Sequence, residues 1–118
     1  MRVEGGRPSR GEIWLIGLQR AAKSDGNTQR TALVLSVNEL NHGPAELAIV
    51  APISERDYRI ATHVPVAQSP STTSTRSYVL CEDLRSVSTR RFLERLGVVD
   101  EQTMRDVIYT VSVLLGHA

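Results

Sequence analysis

"TQRTALVLSV", residues 28–37, decides how the chain is read. From Ala32 to Val37 the residues alternate and branch as those of a buried strand do. Arg30 stands at the mouth of this run, directly after the polar "KSDGNTQ" (23–29). A guanidinium at that junction is either a solvated strand end or a group held rigidly where something binds.

Working outward, "GEIWLIGL" (11–18) is rich in β-formers and reads as a first strand, with a polar loop over 19–29 before the second strand, 30–37. "NELNHGP" (38–44) carries Asn, Gly and Pro and must turn. "AELAIVAPI" (45–53) is a third strand, with Pro52 suiting its terminus. After the loop "SERDY" (54–58), "RIATHVPV" (59–66) alternates as a fourth strand. The Ser/Thr-rich "AQSPSTTSTR" (67–76) is a loop, and "SYVLCEDL" (77–84) is a fifth strand. "STRRFL" (88–93) reads as a short helix capped by Ser88, and "RLGVV" (95–99) as a short strand. In the tail, Asp100 is a good N-cap. Met104, Val107, Ile108, Val111, Leu114 and Leu115 repeat as one apolar helix face, which Gly116 is placed to stop. Five or six short strands at regular spacing followed by one helix predict a mainly β fold, a small barrel or curled sheet with a C-terminal helix.

Composition narrows the function classes. A chain of 118 residues supports one core, expected over 10–118 behind a loose lead-in over 1–9. No apolar run approaches the roughly 20 residues that span a bilayer, and "MRVEGGRPSR" lacks the apolar stretch of a signal peptide. The single cysteine, Cys81, cannot form an internal disulfide and fits a reducing compartment; within an apolar strand it reads as a small buried residue. The net charge of +1 gives no global basic footprint for nucleic acid. The cations are uneven in kind, thirteen Arg against one Lys, and the planar guanidinium fork suits phosphate. His42, His63 and His117 have no companion at metal-ligand spacing, so no metal or other cofactor is expected. No nucleophile elbow, P-loop or dinucleotide fingerprint occurs. Trp14 reads as core or interface, and the "STRRF" segment as a solvated helix start or a phosphate-binding one.

Several stretches together resemble the MazF/PemK family of toxin endoribonucleases: "RGEIWLIGL", "QRTALVLSVNELN", "LAIVAPIS" and "SYVLCEDLRSVSTRRFLERLGVVD", followed by the amphipathic helix. Their order and spacing match over about residues 10–116. The resemblance implies a small SH3-like barrel of the MazF/Kid/CcdB kind, usually a homodimer. It implies a metal-independent enzyme of the bacterial cytoplasm that cuts single-stranded RNA at a short sequence. It also implies a MazE-like antitoxin that lays a disordered segment across the RNA groove.

Within that resemblance Arg30 takes the place of the family's central catalytic arginine, Ser54 that of a threonine, and Asp25 that of an acidic loop residue. Arg85, Glu82, Arg56 and Thr31 are expected to contact RNA. Thr31 replaces a family proline and restores a backbone N–H. Ser54 keeps the hydroxyl but loses the methyl that stiffens threonine.

RNA carries its own nucleophile, the 2′-OH. Cleavage therefore needs a proton acceptor, a cation on the phosphorane and a proton for the departing 5′-oxygen. Arg30 suits the phosphorane; Asp25 or Glu82 suits the proton. Base choice is expected from the loops 19–29, 54–60 and 67–76. The competing expectations are a CcdB-like gyrase poison, against which the ending "LLGHA" without a terminal tryptophan speaks, and a catalytically weak binding module of the same fold.

Overall fold

The computed structural model describes residues 7–19, 27–66 and 76–117. Among these residues, seven antiparallel strands form one curled sheet: β1 (Glu12–Gln19), β2 (Asn27–Val34), β3 (Leu47–Ser54), β4 (His63–Val66), β5 (Ser77–Leu80), β6 (Arg85–Ser88) and β7 (Phe92–Val98). The spatial order is β4-β5-β3-β2-β1-β7, with β6 also paired to β3. A helical turn, α1 (Asn38–Asn41), links β2 to β3, and α2 (Glu101–Leu114) closes the chain. The mainly β architecture with a C-terminal helix agrees with the sequence.

The unbroken apolar run of β2 has a simple cause: both faces of the sheet are covered. Alternate residues feed two separate clusters. Ile13, Leu33, Leu35, Ala51, Val64, Val79 and Cys81 pack under α2 together with its Val107. Trp14, Ile16, Ala32, Val34, Ala48, Val50, Val87 and Phe92 form the other cluster, where the sheet curls over itself. Trp14 meets Phe92 edge-on at 5.6 Å and gives its indole N–H to Glu12 Oε1. A strand buried on both sides reads as continuous apolar sequence rather than a clean alternation.

Several boundaries differ from expectation. β2 starts at Asn27, inside the predicted loop, because β1 runs to Gln19 and pairs with it. β2 stops at Val34 because the next two amides, Leu35 and Ser36, both turn to the Ile49 carbonyl. The predicted turn 38–44 contains α1, steadied by Asn41, whose amide donates to the Ser36 carbonyl. β4 is only His63–Val66, since Arg59 holds φ 59 and its amide is caught by Asp57. Pro52 lies inside β3, not at its end; it occupies the step where β3 changes partner from β6 to β5. The expected fifth strand ends at Leu80, and β6 was not foreseen. Ser88 caps a 3-10 turn (Thr89–Arg91), accepting from the Arg90 amide. The last two residues of the expected lead-in are anchored: Pro8 is fully buried and the Ser9 amide donates to Glu12 Oε1.

α2 begins as predicted, with Asp100 accepting from the Thr103 amide. Gly116 adopts φ 75, the left-handed conformation that ends helices. Met104, Val107, Ile108 and Val111 face the core, whereas Leu114 and Leu115 are 43% and 72% exposed. Leu33→Ala, at a fully buried position of β2 paired with Ile13 of β1, is expected to lower unfolding stability by about 2–5 kcal/mol. Leu115→Ala is expected to stay within about 0.5 kcal/mol. Urea denaturation of both variants checks the pair.

Candidate active site

Arg30 belongs to the Trp14–Ala32–Val50 face. Its register partner is Ile16, and Ala32, two residues on, faces Pro52. Ser54 lies two residues beyond Pro52, so it shares that face and stands where the pairing would bring it opposite Arg30. On the other side of β3, Arg85 is opposite Val50 and therefore also on this face. Arg30 and Arg85 border one pocket whose remaining lining is apolar: Ile16, Leu18, Ala32, Val50, Pro52 and Val87. Two guanidinium groups at the rim of a hydrophobic floor can hold an anion by bidentate bonds while the floor excludes water from beneath it.

The other expected residues distribute unevenly. Ser54 Oγ accepts from the Arg56 amide at 3.0 Å, which fixes the start of the loop after β3. Arg56 is exposed, with its guanidinium 4.9 Å from the centre of the Tyr58 ring. Arg85 bonds Asp83 at 3.2 Å, an ion pair exposed on both sides. Thr31 pairs with Leu15 and points to the face opposite Arg30. Asp25 lies outside the described residues. Cys81 is buried, and burial, then the Glu82 charge, pushes its thiol up to about 11, so it is not a nucleophile at neutral pH.

Glu82 is held more firmly than the sequence indicated. Its Oε1 accepts from Thr62 Oγ1 and its Oε2 from His63 Nε2, both at 2.7 Å. His63 is buried, with Tyr58 edge-on at 5.7 Å. In "RIATHVPV" the apolar alternation of Val64 and Val66 already put His63 on the other side of the strand. What it could not provide is the partner nineteen residues later. Burial alone would raise the Glu82 carboxyl, but the bonds from Thr62 and His63 outweigh it and hold the group below its ordinary 4.5.

A carboxyl depressed in the fold stabilises it above the unfolded value and loses that contribution as pH falls through the folded value. The urea midpoint of the wild type is therefore expected to exceed that of Glu82→Gln near pH 7, and the gap to close as pH is lowered from about 5 toward 3. A gap independent of pH would show that the bonds do not depend on the charge.

The chain can now be set beside known proteins. The profile of the PemK-like, MazF-like toxins of type II toxin–antitoxin systems matches residues 9–115. Endoribonuclease MazF9 of Mycobacterium tuberculosis is 35% identical over 98 residues, 76% of this chain and 80% of its own length. Endoribonuclease MazF of Staphylococcus saprophyticus is 26% identical over 109 residues, 91% of this chain and 90% of its own. Of solved structures, a MazE–MazF crystal structure from Deinococcus radiodurans superimposes with a TM-score of 0.82 at 23% identity, covering 95% of this chain and 98% of that one. An endoribonuclease in complex with its cognate antitoxin, from a mycobacterial species, gives 0.76 at 20% identity, covering 94% and 97%. The profile match over nearly the whole chain and the mycobacterial relative agree with the fold just described: the chain belongs to the PemK-like, MazF-like toxins of type II toxin–antitoxin systems.

Proposed function

We propose that this toxin is a sequence-specific endoribonuclease that cleaves single-stranded RNA without a metal ion, leaving a 2′,3′-cyclic phosphate and a 5′-hydroxyl. The names of its relatives support the endoribonuclease class. The observation that carries the chemistry is the pairing of Arg30 and Arg85 on one sheet face, around an apolar pocket, with Ser54 on the same face. The Arg30 guanidinium binds the two non-bridging oxygens of the scissile phosphate, and its charge counts most as the phosphorane becomes dianionic. The Ser54 hydroxyl donates one further bond. Arg85 neutralises a neighbouring phosphate. Arg56, on the exposed loop beyond Ser54, contacts the RNA strand, with Thr31 on the reverse face setting the backbone at the strand entry. Arginine stays protonated at neutral pH, so the proton of the 2′-OH goes to a carboxylate, with Asp25 and Glu82 the candidates. No further cofactor enters the reaction.

The partner is an antitoxin of the MazE kind, whose disordered segment occupies the RNA groove. MazE–MazF and toxin–antitoxin complexes among the structural neighbours support this. The chain acts as a homodimer of a single domain spanning residues 10–118, in the bacterial cytoplasm. Among the described residues no helix is long and apolar enough to cross a membrane.

The test is cleavage of a long RNA in EDTA with the 5′ ends sequenced. The wild type is expected to cut at a recurring short motif and leave 5′-hydroxyl ends. Arg30→Ala, which removes a preorganised donor, is expected to lower the rate by on the order of 10²–10³ or more. A folded wild type that leaves the RNA intact, or an Arg30→Ala variant as fast as wild type, would overturn the proposal.

A further inference from the structure

The segment joining β5 to β6 is built unusually. Both strands run antiparallel to the same side of β3, Ile53 facing Val79 and Val50 facing Arg85. Three steps along β3 thus match six along its partner, and the surplus bulges out around Cys81–Leu84. Bulges re-aim side chains, and they concentrate beside active sites. Here Cys81 stays in the core beside Val79, and the Glu82 side chain is 42% exposed.

The β4–β5 register puts His63 opposite Leu80, and Pro65 opposite Tyr78, which itself faces Ser54. His63 therefore shares the sheet face of Ser54 and Arg30. Two strand steps separate β5 from the strand of Arg30, a lateral spacing of roughly 10 Å, with Arg30 level with Ser54 and Tyr78.

His63 itself carries an anomaly. Its side chain is 4% exposed, its Nε2 bonds Glu82 Oε2, and its Nδ1 is buried with no hydrogen-bond partner among the described residues. The bond to Glu82 Oε2 places a proton on Nε2, the nitrogen that faces the carboxylate. A fold seldom leaves a buried nitrogen unsatisfied without a return elsewhere. The return visible in this structure is a rigid donor aimed at one carboxylate oxygen, while Thr62 holds the other. A carboxylate offers about four acceptor positions; Thr62, His63 and the Glu82 amide take three, which leaves one for a substrate proton.

We infer that His63 is a positioning residue: its buried ring and Thr62 hold the Glu82 carboxylate in one orientation on the Arg30 face, where Glu82 takes the proton of the 2′-OH. The inference rests on the RNA-cleavage reading of this site and chooses between its two candidate bases. As the 2′-oxygen forms its bond to phosphorus, its proton passes to Glu82. The bond from phosphorus to the 5′-oxygen then breaks, its electron pair stays on that oxygen, and solvent water protonates it. Glu82 afterwards releases its proton to solvent.

The test compares the wild type, His63→Gln, His63→Asn, Thr62→Val, Glu82→Gln and Arg30→Ala in the EDTA assay, with kcat and KM measured on one short RNA and melting temperatures recorded. Gln can place an amide N–H where Nε2 stood; Asn, one carbon shorter, cannot. Loss of the base is expected to lower kcat about 10²-fold or more in Glu82→Gln. A misdirected carboxylate is expected to lower kcat roughly tenfold in His63→Asn, with KM within about twofold, and to recover to within about threefold of wild type in His63→Gln. Thr62→Val, which leaves the buried ring untouched, is expected to fall in the same direction as His63→Asn. Equal kcat in the Asn and Gln variants, a loss confined to KM, or a Thr62→Val variant as fast as wild type each overturns the positioning role. If wild type cuts and Arg30→Ala does not, only the inference about His63 fails with those results. If wild type cuts nothing, the cleavage reading fails and this inference with it.

Discussion

The structure depends on the burial of one sheet on both faces. β2 from Ala32 to Val34 and β3 from Val50 to Pro52 have no solvent side: Leu33 and Ala51 lie under α2, while Ala32 and Val50 lie under the curled β6 and β7. Such strands tolerate no charge until the covering elements end. Arg30 appears where that cover stops, two residues before Ala32, beside the open rim of the second cluster. The apolar cluster thereby holds the strand that presents the guanidinium, and its rim supplies the low-polarity surroundings in which such a charge acts strongly.

β3 carries a second constraint, since it must serve two partners on one edge. It pairs with β6 over Leu47–Val50 and with β5 over Ile53–Ser54. Pro52 sits at the change of partner. The surplus residues gather opposite it, and they include Cys81, Glu82 and Asp83. Packing thus produces the bulge, and the bulge carries two adjacent carboxylates, Glu82 and Asp83. Asp83 bonds Arg85, and Glu82 is taken by Thr62 and His63.

Modest net charge is compatible with the proposed RNA substrate on these terms. Among the described residues, three arginines outside the pocket are engaged with acids of the chain: Arg90 with Glu46, Arg95 with Glu12 and Arg105 with Glu101. These exposed pairs contribute little stability, but they cancel charge away from the site. The basic character that matters is local, and an acidic antitoxin segment would be steered to the same place.

The sequence by itself determined the mainly β architecture, the helix from Asp100 to its glycine stop, and the family to which the chain belongs. Each rests on local chemistry: alternation in β1–β3, an N-cap with an apolar face in α2, and a family motif read in order. The limits were non-local. The end of β2 depends on amides turning to Ile49. β6, with Val87 alone between polar residues, has too weak a pattern to be seen without β3 beside it. His63 and Glu82 are nineteen positions apart and meet only because β4 pairs with β5. Thr31, adjacent to Arg30 in sequence, is on the opposite face because side chains alternate across a strand. Residue types and their local spacing fix what each segment can form; which groups face one another is decided by strand register and by the bulge, and those exist only once the sheet has closed.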